Sequence, residues 1–126
     1  MHPKFHRRIA GTVNKRRKRM NVIYNKIIPF KGFKCVNLFG ILFVRVGCKM
    51  SEIDYNHEAI HTAQMKELLY IGFYILYLTE WVWYLVRLRN ANAAYHAISF
   101  EREAYKHEND MEYLETRKMF NQYKTA

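Results

Sequence analysis

Residues 1–51 contain no aspartate or glutamate although they hold thirteen Lys and Arg, whereas residues 52–126 hold eight basic against eleven acidic residues. The net charge of +10 is therefore an N-terminal property and says little about the chemistry of the rest. Cysteine is nearly absent. Cys35 and Cys48 form no recognisable framework and no C-x-x-C pair, which argues against a disulfide scaffold or a cysteine metal or redox motif and favours a reducing compartment. The charged N-terminus is not followed by an apolar run and small-residue cleavage site, so a cleavable secretory signal is not expected, and the localisation implied is cytoplasmic or membrane-associated. Zinc-finger spacing, an aromatic ribonucleoprotein motif and a recognition helix are missing as well. The run Lys15-Arg16-Arg17-Lys18-Arg19 would attract a polyanion such as an anionic membrane surface, without implying specific nucleic-acid binding.

What is present is half apolar and 16% aromatic, enough for a folded core in one domain of 126 residues. Residues 1–19 show no periodicity and read as a disordered basic arm, leaving 20–126 as a single domain. The change of composition at Met20 suggests a translation start there. Val22, Ile23, Tyr24, Ile27 and Ile28 predict a first strand closed by Pro29 and a Lys31-Gly32 turn. The run Cys35–Val46 predicts a second strand, with Gly40 as a bulge. Ser51 offers an N-cap for a helix beginning near 51–55. Residues 68–88, nearly long enough to span a bilayer, predict a buried or membrane-apposed helix with a true span as the alternative, because Glu80 near the centre would cost about 2.5–3.5 kcal/mol in lipid. A helix from Asn90 to Lys106 and a last one over 111–122 complete an α+β chain: a small N-terminal hairpin or sheet on a mostly helical core.

The chemistry lies in His57-Glu58-Ala59-Ile60-His61. Residues four apart share one face of a helix, so His57 and His61 can present two imidazoles to one Zn2+ ion. Glu58 projects about 100 degrees away, where its carboxylate can act as general base on a water activated by the ion. A catalytic zinc takes a third protein ligand, and the residues after His61 lack the G-x-x-H continuation that would supply a histidine. A carboxylate must serve, and Phe100-Glu101-Arg102-Glu103-Ala104-Tyr105 supplies two candidates, Glu101 and Glu103. Asp54, Gln64, Glu67 or a backbone carbonyl can accept from the imidazoles, since ligand histidines donate their other nitrogen to an oxygen.

These two segments resemble the gluzincins, in which H-E-x-x-H is followed by a glutamate on a later helix, and within them the prenyl-protein and heat-shock-type membrane metalloproteases, whose second helix reads E-x-x-A-D. The resemblance covers about residues 36–106. It implies a zincin-like core with an active-site helix and a ligand helix, Glu101 as third ligand by alignment on Ala104, and Tyr105 where the family has aspartate. It also implies that Ile41-Leu42-Phe43-Val44 forms the edge strand that pairs with an extended peptide substrate. Gln64 is then a support for the ligands, and Tyr95, His96 and Tyr105 are candidates for stabilising the transition state.

Simpler readings apply elsewhere. The aromatic stripe over 70–84 reads as packing, His2, His6 and His107 as solvated, and Arg102 as a local ion-pair partner. The expected function is a zinc metalloendopeptidase acting on a peptide or protein substrate. The alternative is a non-catalytic membrane-associated or interaction protein with a structural or relic metal site.

Overall fold

The computed structural model describes residues 21–28 and 34–124. The basic arm, Pro29 and the Lys31-Gly32 turn expected from the sequence lie outside them. Among the described residues are three strands and five α-helices, an α+β architecture in which a small sheet packs on a helical core. The strands are β1 (Asn21–Asn25), β2 (Cys35–Leu38) and β3 (Ile41–Arg45), in the order β1-β3-β2. β1 runs parallel to β3 and β2 antiparallel to it.

The single strand expected over 35–46 is a hairpin. Leu38 pairs with Ile41, leaving Phe39 and Gly40 as a two-residue turn with φ of +54° and +86°. Two successive positive φ values reverse the chain with the twist that the flanking strands need, and Gly40 serves that conformation rather than a bulge. Asn37 reinforces the turn by accepting from the Gly40 amide, while its own amide group donates to Thr62 and to the Glu58 carbonyl. The hairpin is thereby tied to the helix that carries the H-E-x-x-H motif. Alternation along β3 puts Leu42 and Val44 on the inner face, against Tyr55 and Ala59.

Helix α1 (Glu52–Glu67) starts at Ser51, whose hydroxyl accepts from the Asp54 amide while the Asp54 carboxylate accepts from the Ser51 amide. It is packed on more than one side: Tyr55 and Ala59 against the sheet, Ile60 against Ala104 and Tyr113, and Met65 against Phe73, Ile98 and Phe100. The helix expected over 68–88 begins only at Ile71, because Leu69 and Tyr70 adopt positive φ and turn the chain. Helix α2 (Ile71–Leu88) therefore leaves α1 at 111°. Among the described residues no single helix is long and apolar enough to cross a membrane.

The helix expected from Asn90 to Lys106 is two. Asn90 caps α3 (Ala91–Ala97), Ile98 is extended, and α4 (Ser99–His107) follows. The break comes from tertiary contact: Glu80 of α2 accepts from both the amide and the hydroxyl of Ser99, so that amide does not continue the α3 ladder. Glu80 is thus satisfied within the protein. The helix expected over 111–122 shrinks to α5 (Tyr113–Thr116) and a 3-10 turn at Asn121–Tyr123, with Arg117 extended between them because its guanidinium reaches Glu67, Glu103 and Gln122.

Buried Asn56 of α1 holds the chain just past α4. Its amide group faces the carbonyls of His107, Glu108 and Asp110 at 3.3, 2.8 and 3.0 Å. Asn56→Ala leaves these carbonyls without that donor and is expected to lower stability by about 1–3 kcal/mol in urea denaturation. The loss should appear with metal bound or removed.

Candidate metal centre

Two helices build the site. One turn of α1 separates His57 from His61, and the packing of α4 across α1 brings Glu101 to both. Glu101 Oε1 lies 3.1 Å from His57 Nε2 and 2.9 Å from His61 Nε2, and the two Nε2 atoms are 3.1 Å apart. All three residues are buried, and together they could hold a metal ion.

Each group is turned toward that point by a partner on its far side. The Glu108 carboxylate lies 2.7 Å from His57 Nδ1, and Gln64 Oε1 lies 2.8 Å from His61 Nδ1. Both oxygens are acceptors, which assigns a proton to each Nδ1 and directs each Nε2 to the centre. Tyr77 donates to Glu101 Oε2 at 2.8 Å and leaves Oε1 facing the histidines. The Tyr105 ring stands edge-on to His57, with centroids 4.6 Å apart.

Gln64, expected from the sequence as a support, occupies that place. Glu103 does not face the centre. It accepts from Gln64, Tyr113 and Arg117, and so belongs to the shell behind His61 rather than to the ligand set. Asp54 and Glu67, two of the expected imidazole acceptors, are engaged elsewhere: Asp54 with Ser51 and Lys34, Glu67 with Arg117 and the Phe120 amide. His96 is exposed and packs on Tyr95 and Tyr105, without contact to the ligands. Tyr95 and Tyr105 share a hydroxyl contact of 3.1 Å at the wall of the cleft.

Sequence reasoning overlooked two residues. Glu108 had a signal, since it follows Glu101 by seven positions, two helical turns on. Tyr77 lay within an aromatic stripe assigned to packing alone, and only the side-chain packing of Phe73 and Tyr77 of α2 on Phe100 of α4 brings its hydroxyl to Glu101.

The centre forms the floor of a cleft of about 840 Å³ lined also by Cys35, Asn37, Tyr74 and Trp81. Ile41-Leu42-Phe43-Val44, expected as the substrate edge, is the middle strand, with backbone groups engaged by β1 on one side and β2 on the other. The outer strand next to the cleft is β2, whose Cys35 thiol approaches Glu58 at 3.8 Å.

Burial raises the Glu58 carboxyl above the ordinary range and nearby Glu101 adds to this, while the two imidazoles oppose it. Burial would also raise Glu101, but the imidazoles override it and hold that group well below the usual carboxylate range. For His61, burial favours the neutral ring, yet the Glu101 charge and hydrogen bond dominate and carry its pKa from 6.5 up to about 9. Burial and the neighbouring Glu58 push the Cys35 thiol up to about 12, so it stays protonated near neutrality.

No family model, curated protein or solved structure matches the chain.

Two predictions follow from this geometry. In titrations with a divalent metal, Glu101→Ala should weaken binding at least about 100-fold and Glu108→Ala about 10–100-fold, whereas Glu103→Ala should lose stability more than affinity. Equal losses for Glu101→Ala and Glu103→Ala would contradict the assignment. The second concerns pH. A raised histidine pKa stabilises the fold fully below the unfolded value of 6.5, and that share is lost as pH rises through about 9. Metal-stripped protein should therefore lose thermal stability over that window. Metal affinity should rise over the same window as the ion displaces the His61 proton, which calorimetry in buffers of different ionisation enthalpy would detect.

Proposed function

We propose that this chain is a zinc-dependent metalloendopeptidase. The observation that carries the reading is the convergence of His57 Nε2, His61 Nε2 and Glu101 Oε1 on one point, with Glu58 beside it, at the floor of an open cleft. Ligand atoms about 2.0–2.1 Å from a tetrahedral zinc lie about 3.3 Å from one another. The separations of 2.9–3.1 Å are close to that spacing. The donor set of two neutral imidazoles and a carboxylate suits a catalytic zinc, whereas a structural zinc takes four protein ligands. Among the described residues three converge. The same pattern underlies the resemblance to the gluzincins.

When bound, zinc supplies a Lewis acid that acidifies water to a pKa of about 7 and polarises a carbonyl. Glu58 takes a proton from the attacking water as the new C–O bond forms at the scissile carbonyl. It then gives that proton to the amide nitrogen as the C–N bond breaks. Desolvation, which raises its pKa, makes it a stronger base than an exposed glutamate. Tyr95 and Tyr105 place hydroxyls on the cleft wall, where one can donate to the oxygen that gains charge. The backbone of β2, at the outer edge of the sheet and along the cleft, is the surface on which an extended peptide can pair.

Glu58→Gln tests the base without touching the ligands. The variant should retain about one zinc per chain and lose hydrolysis of a fluorogenic peptide mixture by about 100-fold or more. Zinc retention with unchanged hydrolysis would refute the assignment of Glu58.

A further inference from the structure

The outer face of α2 has no partner within the described residues. Leu69, Ile71, Ile75, Leu78, Val82 and Val86 are 46–82% exposed. Helical residues follow one another at about 100° and 1.5 Å, so the five from Ile71 to Val86 fall within about 80° of arc and run about 22 Å along the helix. Thr79, at the rim, turns its hydroxyl back to the Ile75 carbonyl and adds little polarity to the face. Phe73, Tyr77 and Glu80, on the opposite side, make the contacts with the core.

The charges around this stripe are of one sign. Residues 66–106 contain four carboxylates, Glu67, Glu80, Glu101 and Glu103, and each is taken up inside the protein by Arg117, Ser99, the histidine pair or Gln64. Lys66, three residues before Leu69, and Arg87 and Arg89, in the last turn and at the cap of α2, remain exposed; by helical spacing Arg87 lies about 140° round from the middle of the stripe and Arg89 returns to its line. Trp83 flanks the stripe, more than half exposed, with the Arg87 guanidinium 5.1 Å from its ring centre. An apolar band with an exposed cation in line at its C-terminal end, further cations nearby and an indole at its margin matches a lipid interface, where acyl chains take the band, headgroup phosphates take the cations and indoles favour the boundary. A second copy fits less well, since parallel or antiparallel pairing would bring the cationic ends of the two helices together.

The geometry points to an anionic lipid surface as the partner of this face, with α2 lying in the interface plane. The cleft-lining residues Tyr74, Tyr77 and Trp81 sit about 80–140° round the helix from the middle of the stripe, so the cleft opens alongside the bilayer. This docking surface does not depend on the peptidase reading.

The test uses the full chain with phosphatidylcholine vesicles containing about one-third phosphatidylglycerol. Wild-type protein should co-sediment with them and its tryptophan emission should shift to the blue. Ile75→Gln/Leu78→Gln/Val82→Gln changes no charge and retains the basic N-terminus; it should bind at least about tenfold more weakly while keeping its helical circular dichroism. A second variant spares the stripe: Arg87→Gln/Arg89→Gln should weaken binding at low salt and flatten its salt dependence. Equal vesicle binding by the triple variant and wild type would overturn the proposal. So would stripe-dependent self-association in solution without vesicle binding, which would assign the face to a second copy.

Discussion

A carboxylate buried to 3% exposure must be neutralised where it stands, and Glu101 meets that demand through two imidazoles of the facing helix. The rest of the molecule is arranged around this meeting. α1 and α4 must cross closely enough for one oxygen to face both rings, which the small side chain of Ala104 assists by allowing Ile60 and Tyr113 to pack at the same crossing. Tyr77 occupies the second oxygen of Glu101, so α2 is drawn to the site as well. A bound cation and a proton shared between His61 and Glu101 would be alternative ways of meeting the same electrostatic requirement, so any metal affinity and the fold stability are both expected to depend on pH.

Behind His61 a second set of polar contacts reaches the C-terminal segment. Gln64 joins the imidazole to Glu103, and Arg117 clamps Glu103 and Glu67. These are buried charges, and they hold only because each finds an opposite partner. The extended segment around Arg117 thereby supports the back of the candidate metal centre although it contributes none of the three converging groups. Behind His57 the corresponding part is played by Glu108, held in place through Asn56.

Much of the site was legible because its parts are local. The i and i+4 spacing of His57 and His61 places both on one face of any helix that contains them, and the Ser51–Asp54 cap marks where that helix begins. Gln64 follows His61 by three positions on the same face, which is enough to nominate it. Glu103 was harder to separate from Glu101, since two carboxylates two positions apart on one helix point in different directions, and the direction that faces α1 depends on how the helices cross.

Turns and breaks were read less well. Gly40 looked like an irregularity within one strand because periodicity does not distinguish a bulge from a two-residue hairpin turn when both flanks are apolar. Residues 68–88 form one hydrophobic run, yet α2 starts only after the positive-φ conformations of Leu69 and Tyr70, which their side chains do not advertise. The interruption at Ile98 has no local breaker either; it follows from Glu80, nineteen residues earlier, taking the Ser99 amide.

Sequence by itself determined the α+β composition, the helix bearing His57, Glu58 and His61, and the pair of carboxylates from which the third partner comes, because each depends on spacing within one element. Tertiary structure decided that Glu101, the residue the resemblance implied, and not Glu103 faces the histidines, and it alone decided that Glu108 and Tyr77 orient the group and that β2 rather than β3 lies at the cleft edge. Those choices depend on crossing angles and strand order, set by long-range packing and by polar groups that must find partners once buried.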